Sequence, residues 1–188
     1  LDGAQKICIV FIGDGTLGEG ALYETLNIIA QWELPLLIVL ENNGYAQSTP
    51  QSETLAGAIG ARVDAFAIRY DQGNTWEWEQ LYGTAQALID YVRHKGRPAF
   101  LQIDTFRLKA HSKGDDNRPR SEIEPFEERD PLNRLIRAGA PDFKELQAEI
   151  STLVAQALMA AEQAAYPTIA TRQATARNAG PTWVNYTL

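Results

Sequence analysis

A parallel α/β sheet with flanking helices is the fold class this sequence predicts. Short apolar runs stand at 6–12, 36–41, 65–70 and 99–106, the first of them continuously apolar and β-branched, and segments of helical spacing separate them. Alternation at these lengths points to strand–helix–strand units. The first run also closes on Gly13, Gly15 and Gly18, a Gly-x-Gly-x-x-Gly cluster of the kind that brings backbone close to a phosphate.

The first run, KICIVFI, is uninterrupted, as expected of a strand covered on both faces. Cys8, the single cysteine, falls within it and is expected to be a buried, inert thiol. A buried-type strand so near the first residue reads as the middle of a domain, truncated at its N-terminal side. From 17 to 32, Leu22, Leu26, Ile28, Ile29 and Trp32 keep the spacing of an amphipathic helix. Pro35 precedes the second strand, and NNGYAQSTPQS reads as a polar turn. A short helix over 53–60, a third strand over 65–70 and a turn at DQGN follow. Thr75 is a plausible N-cap for a helix through Trp78, Leu81, Ala85, Leu88 and Val92 that stops at Gly96. The fourth strand, 99–106, completes the alternation.

Beyond it the pattern breaks. Residues 107–131 are charged and nearly free of apolar side chains, and so long a loop in a compact domain is usually functional or disordered. Asp130, with Pro131 at the first helical position, opens a short helix. Residues 143–165 read as a long Ala/Leu/Gln helix, and Trp183 and Tyr186 mark a tail expected to dock. The organisation expected is a partial α/β domain over 1–128, with a loop at 107–128, and C-terminal helices and tail over 129–188.

Composition narrows the function. Of 188 residues, 45% are apolar and 22% charged, as in soluble globular proteins. A net charge of −7 argues against a nucleic-acid binder, which needs a clustered basic face, and against a polybasic membrane-surface protein. No apolar stretch reaches the ~20 residues of a membrane span. A cytoplasmic, reducing compartment and a chain without a signal peptide are expected.

The glycine cluster admits two readings. A dinucleotide fold would use Gly13, Gly15 and Gly18 for a pyrophosphate and Glu41, about 20 residues further on, for a ribose hydroxyl. Asp14 resists that reading, because a carboxylate would face the pyrophosphate with only about half a positive charge from the helix N-terminus. A divalent cation between loop and diphosphate removes the conflict. Mg²⁺ wants hard oxygens and shares its octahedron with substrate phosphates. Asp14 can supply a carboxylate oxygen, Asn43 an amide oxygen, and the turn a backbone carbonyl. Ends of adjacent parallel strands open at the same sheet edge, where α/β sheets bind ligands.

GDG at 13–15 followed by NN at 42–43 resembles the thiamine-diphosphate motif. The stretch GDGTLGEGALYETLNIIAQWELPLLIVLENNGYAQST closely resembles the alpha subunit of the decarboxylating component of 2-oxo acid dehydrogenases: pyruvate, branched-chain 2-oxo acid and acetoin. The resemblance runs through YDQGN and FRLKAHSKGDD, from Lys6 to about Ala164, and corresponds to the C-terminal part of such a subunit. It implies a thiamine-diphosphate-binding fold in which the side chains of Asp14 and Asn43 and the carbonyl of Tyr45 ligate Mg²⁺. Gly13 and Gly15 would let the backbone reach the diphosphate. Arg107 and His111 would contact that diphosphate, and His111 would also line the path of the substrate and lipoyl group as the catalytic residue of this chain.

Residue chemistry agrees with those assignments. Arginine offers a fixed fork of donors for phosphate oxygens, and histidine exchanges protons near neutral pH. His94, the other histidine, sits near a helix end beside Lys95 and reads as solvated. Many members of the family have a second histidine where this chain has Lys109, which keeps positive charge but gives up a proton shuttle at pH 7. Ser112 matches a position phosphorylated in some relatives. Lys113, Asp115, Asp116, Arg118 and Arg120 read as a solvated segment ordered by cofactor.

The activity implied is thiamine-diphosphate- and Mg²⁺-dependent oxidative decarboxylation of a 2-oxo acid, with acyl transfer to a lipoyl group. The implied partners are a beta subunit in an α₂β₂ assembly, which holds the glutamate that activates the cofactor, and a lipoyl-bearing acyltransferase. A homo-oligomer is expected of the chain alone. A non-catalytic remnant of this fold and a Rossmann-type NAD-dependent oxidoreductase remain as alternatives.

Overall fold

The computed structural model describes residues 6–112, 114, 116–139 and 142–166. Along the chain run β1 (Cys8–Gly13), a 3₁₀ turn (Asp14–Gly18), α1 (Gly20–Gln31), β2 (Leu36–Asn42), β3 (Tyr45–Ala46), β4 (Thr49–Pro50), α2 (Gln51–Thr54) and α3 (Ile59–Asp64). Then come β5 (Arg69–Asn74), a second 3₁₀ turn (Thr75–Glu77), α4 (Trp78–Lys95), β6 (Ala99–Asp104), α5 (Arg120–Arg129), α6 (Pro131–Arg137) and α7 (Phe143–Gln163).

The main sheet is fully parallel in the order β1-β2-β6-β5, and β3 and β4 form a small antiparallel hairpin. The crossover from β1 to β2 and the one from β5 to β6 advance across the sheet in opposite directions. Right-handed crossovers then put their helices, α1 and α4, on opposite faces. Strand alternation sorts the core accordingly. Ile38, Leu40 and Phe100 pack with Leu22, Leu26 and Ile29 of α1 and with Ile59 and Val63 of α3. Leu37, Val39, Ala99 and Leu101 pack with Leu88 and Val92 of α4. Connection direction reverses between β2 and β6, the place where open α/β sheets leave a crevice for ligands.

The first strand departs from expectation. It forms, but it lies at a sheet edge, and α4 packs on β5, β6 and β2 rather than on β1. Register places Ile9 and Phe11 level with Leu37 and Val39, on the α4 face, where they remain 42% and 65% exposed. Cys8 is exposed as well, so the buried thiol read from the sequence is corrected.

Further boundaries move. The third strand is 69–74, not 65–70, because α3 continues to Asp64 and Ala67 reverses the chain with φ of 54°. DQGN, read as a turn, is strand. Gly73 sits there because α4 comes close: a Cβ would meet Leu81 at 3.0 Å. The helix expected over 53–60 is split into α2 and α3. Asn74 rather than Thr75 caps the turn before α4, its Oδ1 accepting from the Glu77 amide, whereas Gly96 ends α4 in the left-handed conformation as expected. The segment read as loop contains α5. Arg120 reaches Glu124 and Glu127 along its face, and Phe126 stacks on Phe106 with centroids 3.9 Å apart.

Asp130 caps α6 with Pro131 at the first turn, as read from the sequence. Contacts divide the chain after Gly139, so that α5 and α6 belong to the first unit and α7 to the second. By itself α7 carries an exposed apolar stripe that includes Leu146, Ile150, Leu153 and Leu158. Trp183 and Tyr186 lie outside the described residues. Among the described residues no helix is long and apolar enough to cross a membrane.

Candidate functional site

Gly13 stands level with Glu41 in the β1–β2 register, so the turn after β1 brings Asp14 to the sheet edge beside the end of β2. Asp14 is only 6% exposed. Burial pushes its carboxyl pKa up, and hydrogen bonding from the backbone of Asp14, Gly15 and Gly44 and from the Gln51 side chain pulls the other way. Gly15 lies against the next turn, where a Cβ would stand 3.0 Å from the Cβ of Ala46. No atom lies within 4 Å of the Cβ position at Gly13, Gly18 or Gly44, which leaves backbone open to a ligand.

The turn after β2 is built by Asn43 and Gly44. Asn43 Oδ1 accepts from the Tyr45 amide at 2.9 Å, and Gly44 takes a φ of 79°. The Gln51 amide donates to the Gly44 carbonyl at 2.8 Å. That makes Gly44 and Gln51 a bonded pair of the hairpin and Tyr45 and Pro50 a non-bonded one, whose carbonyls turn outward from the ribbon. Tyr45's carbonyl is therefore free of the hairpin ladder, and the Asn43 oxygen keeps a second lone pair.

A chain of polar side chains links the C-terminal ends of β1, β2 and β6 to Tyr70 of β5. Gln51 Nε2 donates to Asp14 Oδ2 at 3.2 Å and to Asn42 Oδ1 at 2.7 Å. Asn42 Nδ2 and Gln102 Nε2 both donate to Asp104 Oδ1 at 2.7 Å, and the Tyr70 hydroxyl donates to Gln102 Oε1 at 2.8 Å. Burial and the Asp104 charge raise the Tyr70 hydroxyl pKa. This ribbon lines a cavity of about 880 Å³ at the crevice between β2 and β6, opposite Trp76, Phe106 and Phe126.

A second cavity, of about 220 Å³, is lined by both Tyr45 and Arg107. Arg107 Nε and Nη1 are buried without a hydrogen-bond partner, which suits an anion. Arg118 closes the other side. Its guanidinium lies over the Tyr45 and Phe106 rings at 5.4 and 5.0 Å and pairs with Asp116 through Nε at 2.8 Å and Nη2 at 2.7 Å. Those bonds hold the Asp116 carboxyl at about 2. The Tyr45 hydroxyl donates to Glu122 Oε1 at 2.8 Å, which raises its pKa. Lys109, His111 and Ser112 are exposed on the same segment, and neither cavity includes them.

Of the residues singled out from sequence, the structure gathers Asp14 and Gly15 against the turn of Asn43 and Tyr45, and sets Tyr45 and Arg107 on one cavity. His111 lines neither cavity. Among the described residues no group of three or more His, Cys, Asp or Glu side chains could hold a metal ion. A cation here would therefore depend on one carboxylate with amide and carbonyl oxygens, a donor set that suits Mg²⁺. A buried acid, outward carbonyl, open glycines and orphaned Arg107 nitrogens together fit a metal-bound diphosphate. Sequence reasoning missed Gln51, Asp104 and Gln102, gave Asn42 a place in the NN motif but no role, and read Arg118 as solvated where its side chain is 5% exposed. The polar residues closing β2 and β6, Asn42 and Asp104, were a usable signal, because both follow apolar runs at a sheet edge.

The chain is 30% identical over 176 residues to the pyruvate dehydrogenase E1 component subunit alpha of Rickettsia bellii, covering 88% of this chain and 54% of that one. It is 33% identical over 167 residues to the Zymomonas mobilis protein of the same description, covering 84% and 47%. To the alpha subunit of acetoin:2,6-dichlorophenolindophenol oxidoreductase from Bacillus subtilis it is 28% identical, covering 87% and 52%. The chain thus spans about half the length of the curated relatives it matches. The superposition on Leishmania mexicana transketolase has a TM-score of 0.46 over 53% of this chain at 20% identity, too low to bear on a fold that rests on the strand order itself. The family described as "Dehydrogenase E1 component" matches residues 1–170, so the glycine loop, the NN turn and the arginine segment all fall within one match, and the chain belongs to that family.

Proposed function

We propose that this chain holds the diphosphate of thiamine diphosphate through Mg²⁺, as the alpha-subunit part of a 2-oxo acid dehydrogenase's decarboxylating component. The overall reaction is oxidative decarboxylation of a 2-oxo acid with transfer of the acyl group to a lipoyl arm. Its partners are a beta subunit in an α₂β₂ assembly and a lipoyl-bearing acyltransferase, in a cytoplasmic, reducing compartment.

One observation carries the reading: a carboxylate buried to 6% exposure stands at a loop where the Cβ positions of Gly13 and Gly18 face open space. An acid there repels a bare diphosphate and attracts a magnesium-bound one. Asp14, Asn43 and the Tyr45 carbonyl would hold the metal, Gly13 and Gly15 would offer backbone to the phosphates, and the free nitrogens of Arg107 would take phosphate oxygens. When bound, thiamine diphosphate supplies the electron sink for loss of carbon dioxide. The protein's share is to bind, orient and neutralise. His111, exposed on the segment after β6, would move a proton at its imidazole where substrate and lipoyl group arrive.

Calorimetry with thiamine diphosphate, with and without Mg²⁺, tests this. Binding heat is expected only with both present, and Asp14→Ala abolishes the Mg²⁺-dependent part. Unchanged Mg²⁺ dependence in that variant would show the ligand assignment to be wrong.

A further inference from the structure

We propose that Gln51 is a positioning residue for the Asp14 carboxylate, a role that rests on the metal–diphosphate reading above. Its terminal amide carries two hydrogens, and Nε2 directs them to oxygens on two different strand ends, Asp14 Oδ2 at 3.2 Å and Asn42 Oδ1 at 2.7 Å. The backbone of Gln51 is held at the same junction. Its amide donates to the Gly44 carbonyl at 2.8 Å, and its carbonyl accepts from the Leu55 amide at 2.9 Å. One residue therefore ties together the turn after β1, the end of β2 and the hairpin that carries Tyr45.

Asn42 is braced in turn, since its own amide donates to Asp104 Oδ1 at 2.7 Å and Gln102 donates to the same oxygen. The support for Asp14 thus reaches β6 without passing through solvent. A carboxylate can rotate about two bonds, and a metal ligand held in one orientation loses less freedom when the ion arrives. Hydrogen-bond partners behind a ligating carboxylate commonly control metal affinity 10–100-fold. Gln51 gives the metal no oxygen in this role; it acts through Asp14. Its place in PQSE, at the start of a four-residue helix, carries no motif, so only the fold brings it to the acid.

Mn²⁺ with inorganic pyrophosphate is the probe, and electron paramagnetic resonance of the free aqua ion, corrected by a protein-free titration for the Mn²⁺ that pyrophosphate itself takes up, reads its affinity for the full chain. Gln51→Met removes the donor at similar length. Gln51→Thr keeps a polar residue at the helix start but cannot reach Asp14. Each is expected to weaken Mn²⁺ binding about tenfold or more while the chain stays folded by circular dichroism at the binding temperature. A general structural role would instead lower affinity only as far as it lowers the folded fraction. If Asp14→Ala loses Mn²⁺ while both Gln51 variants stay within twofold of wild type, the positioning role is wrong and the metal site stands. If Asp14→Ala binds Mn²⁺ as wild type does, the metal reading fails and the role of Gln51 goes with it.

Discussion

Replacing Gly15 with alanine is expected to push apart the two turns that form the candidate site. Gly15 is not among the glycines with positive φ, so the question is one of space alone. The new Cβ would stand 3.0 Å from the Ala46 Cβ, whereas ordinary contacts fall at 3.4–4 Å. Ala46 has no side-chain torsion with which to retreat, so the backbone of β3 must move. Overpacking of this kind costs about 1–3 kcal/mol. Taking about 2 kcal/mol, the melting temperature of a chain this size falls by roughly 4–8 °C. The shift also carries the neighbouring Tyr45 carbonyl, so Mg²⁺-dependent binding of thiamine diphosphate is expected to weaken too. Ala46→Gly removes the obstruction at a cost of about 0.5–1 kcal/mol of its own. The double variant should then be more stable than the sum of the single effects by about 1 kcal/mol or more, with binding restored. Urea unfolding followed by tryptophan fluorescence, with calorimetry for binding, closes the cycle. Additivity within about 0.5 kcal/mol would refute the argument that these turns meet at this atom pair.

Two further predictions concern charge and exposure. Arg118 hydrogen bonds hold the Asp116 carboxyl at about 2, below the ordinary 3.8, so the pair's contribution is present above about pH 4 and lost as pH falls toward 2. The difference in melting temperature between wild type and Asp116→Asn should therefore be steady near neutrality and shrink between pH 4 and 2; a gap that widens on acidification would contradict the pairing. Cys8 is exposed on β1, so a thiol reagent such as Ellman's should label the folded chain stoichiometrically without denaturant. Labelling that appears only on unfolding would restore the buried thiol read from the sequence.

The fold class, β2, the helices α1 and α4, the helix stop at Gly96 and the helix start at Asp130 were legible because each is governed by local chemistry. Apolar period, a left-handed glycine and a capping acid declare themselves within a few residues. The GDG and NN turns were legible for the same reason, since their glycines and acid sit in plain order along the chain. Cover and long-range contact were not legible. Whether β1 is buried depends on where α4 lands, and whether DQGN is turn or strand depends on the approach of Leu81 to Gly73.

What the sequence by itself determined was the alternation of strands and helices, the strand at β2, the helices α1 and α4, and which acid stands between two glycines, because those choices are decided over short spans. What only the tertiary structure decided was who stands next to that acid. Asp14, the pair Asn42 and Gln51, and the pair Gln102 and Asp104 come from three separate stretches of the chain, yet they form one hydrogen-bonded line at the edge of the sheet. The reason is geometric: parallel strands end side by side only after their crossovers have been made, so chemistry at their tips is assembled by the register of the sheet.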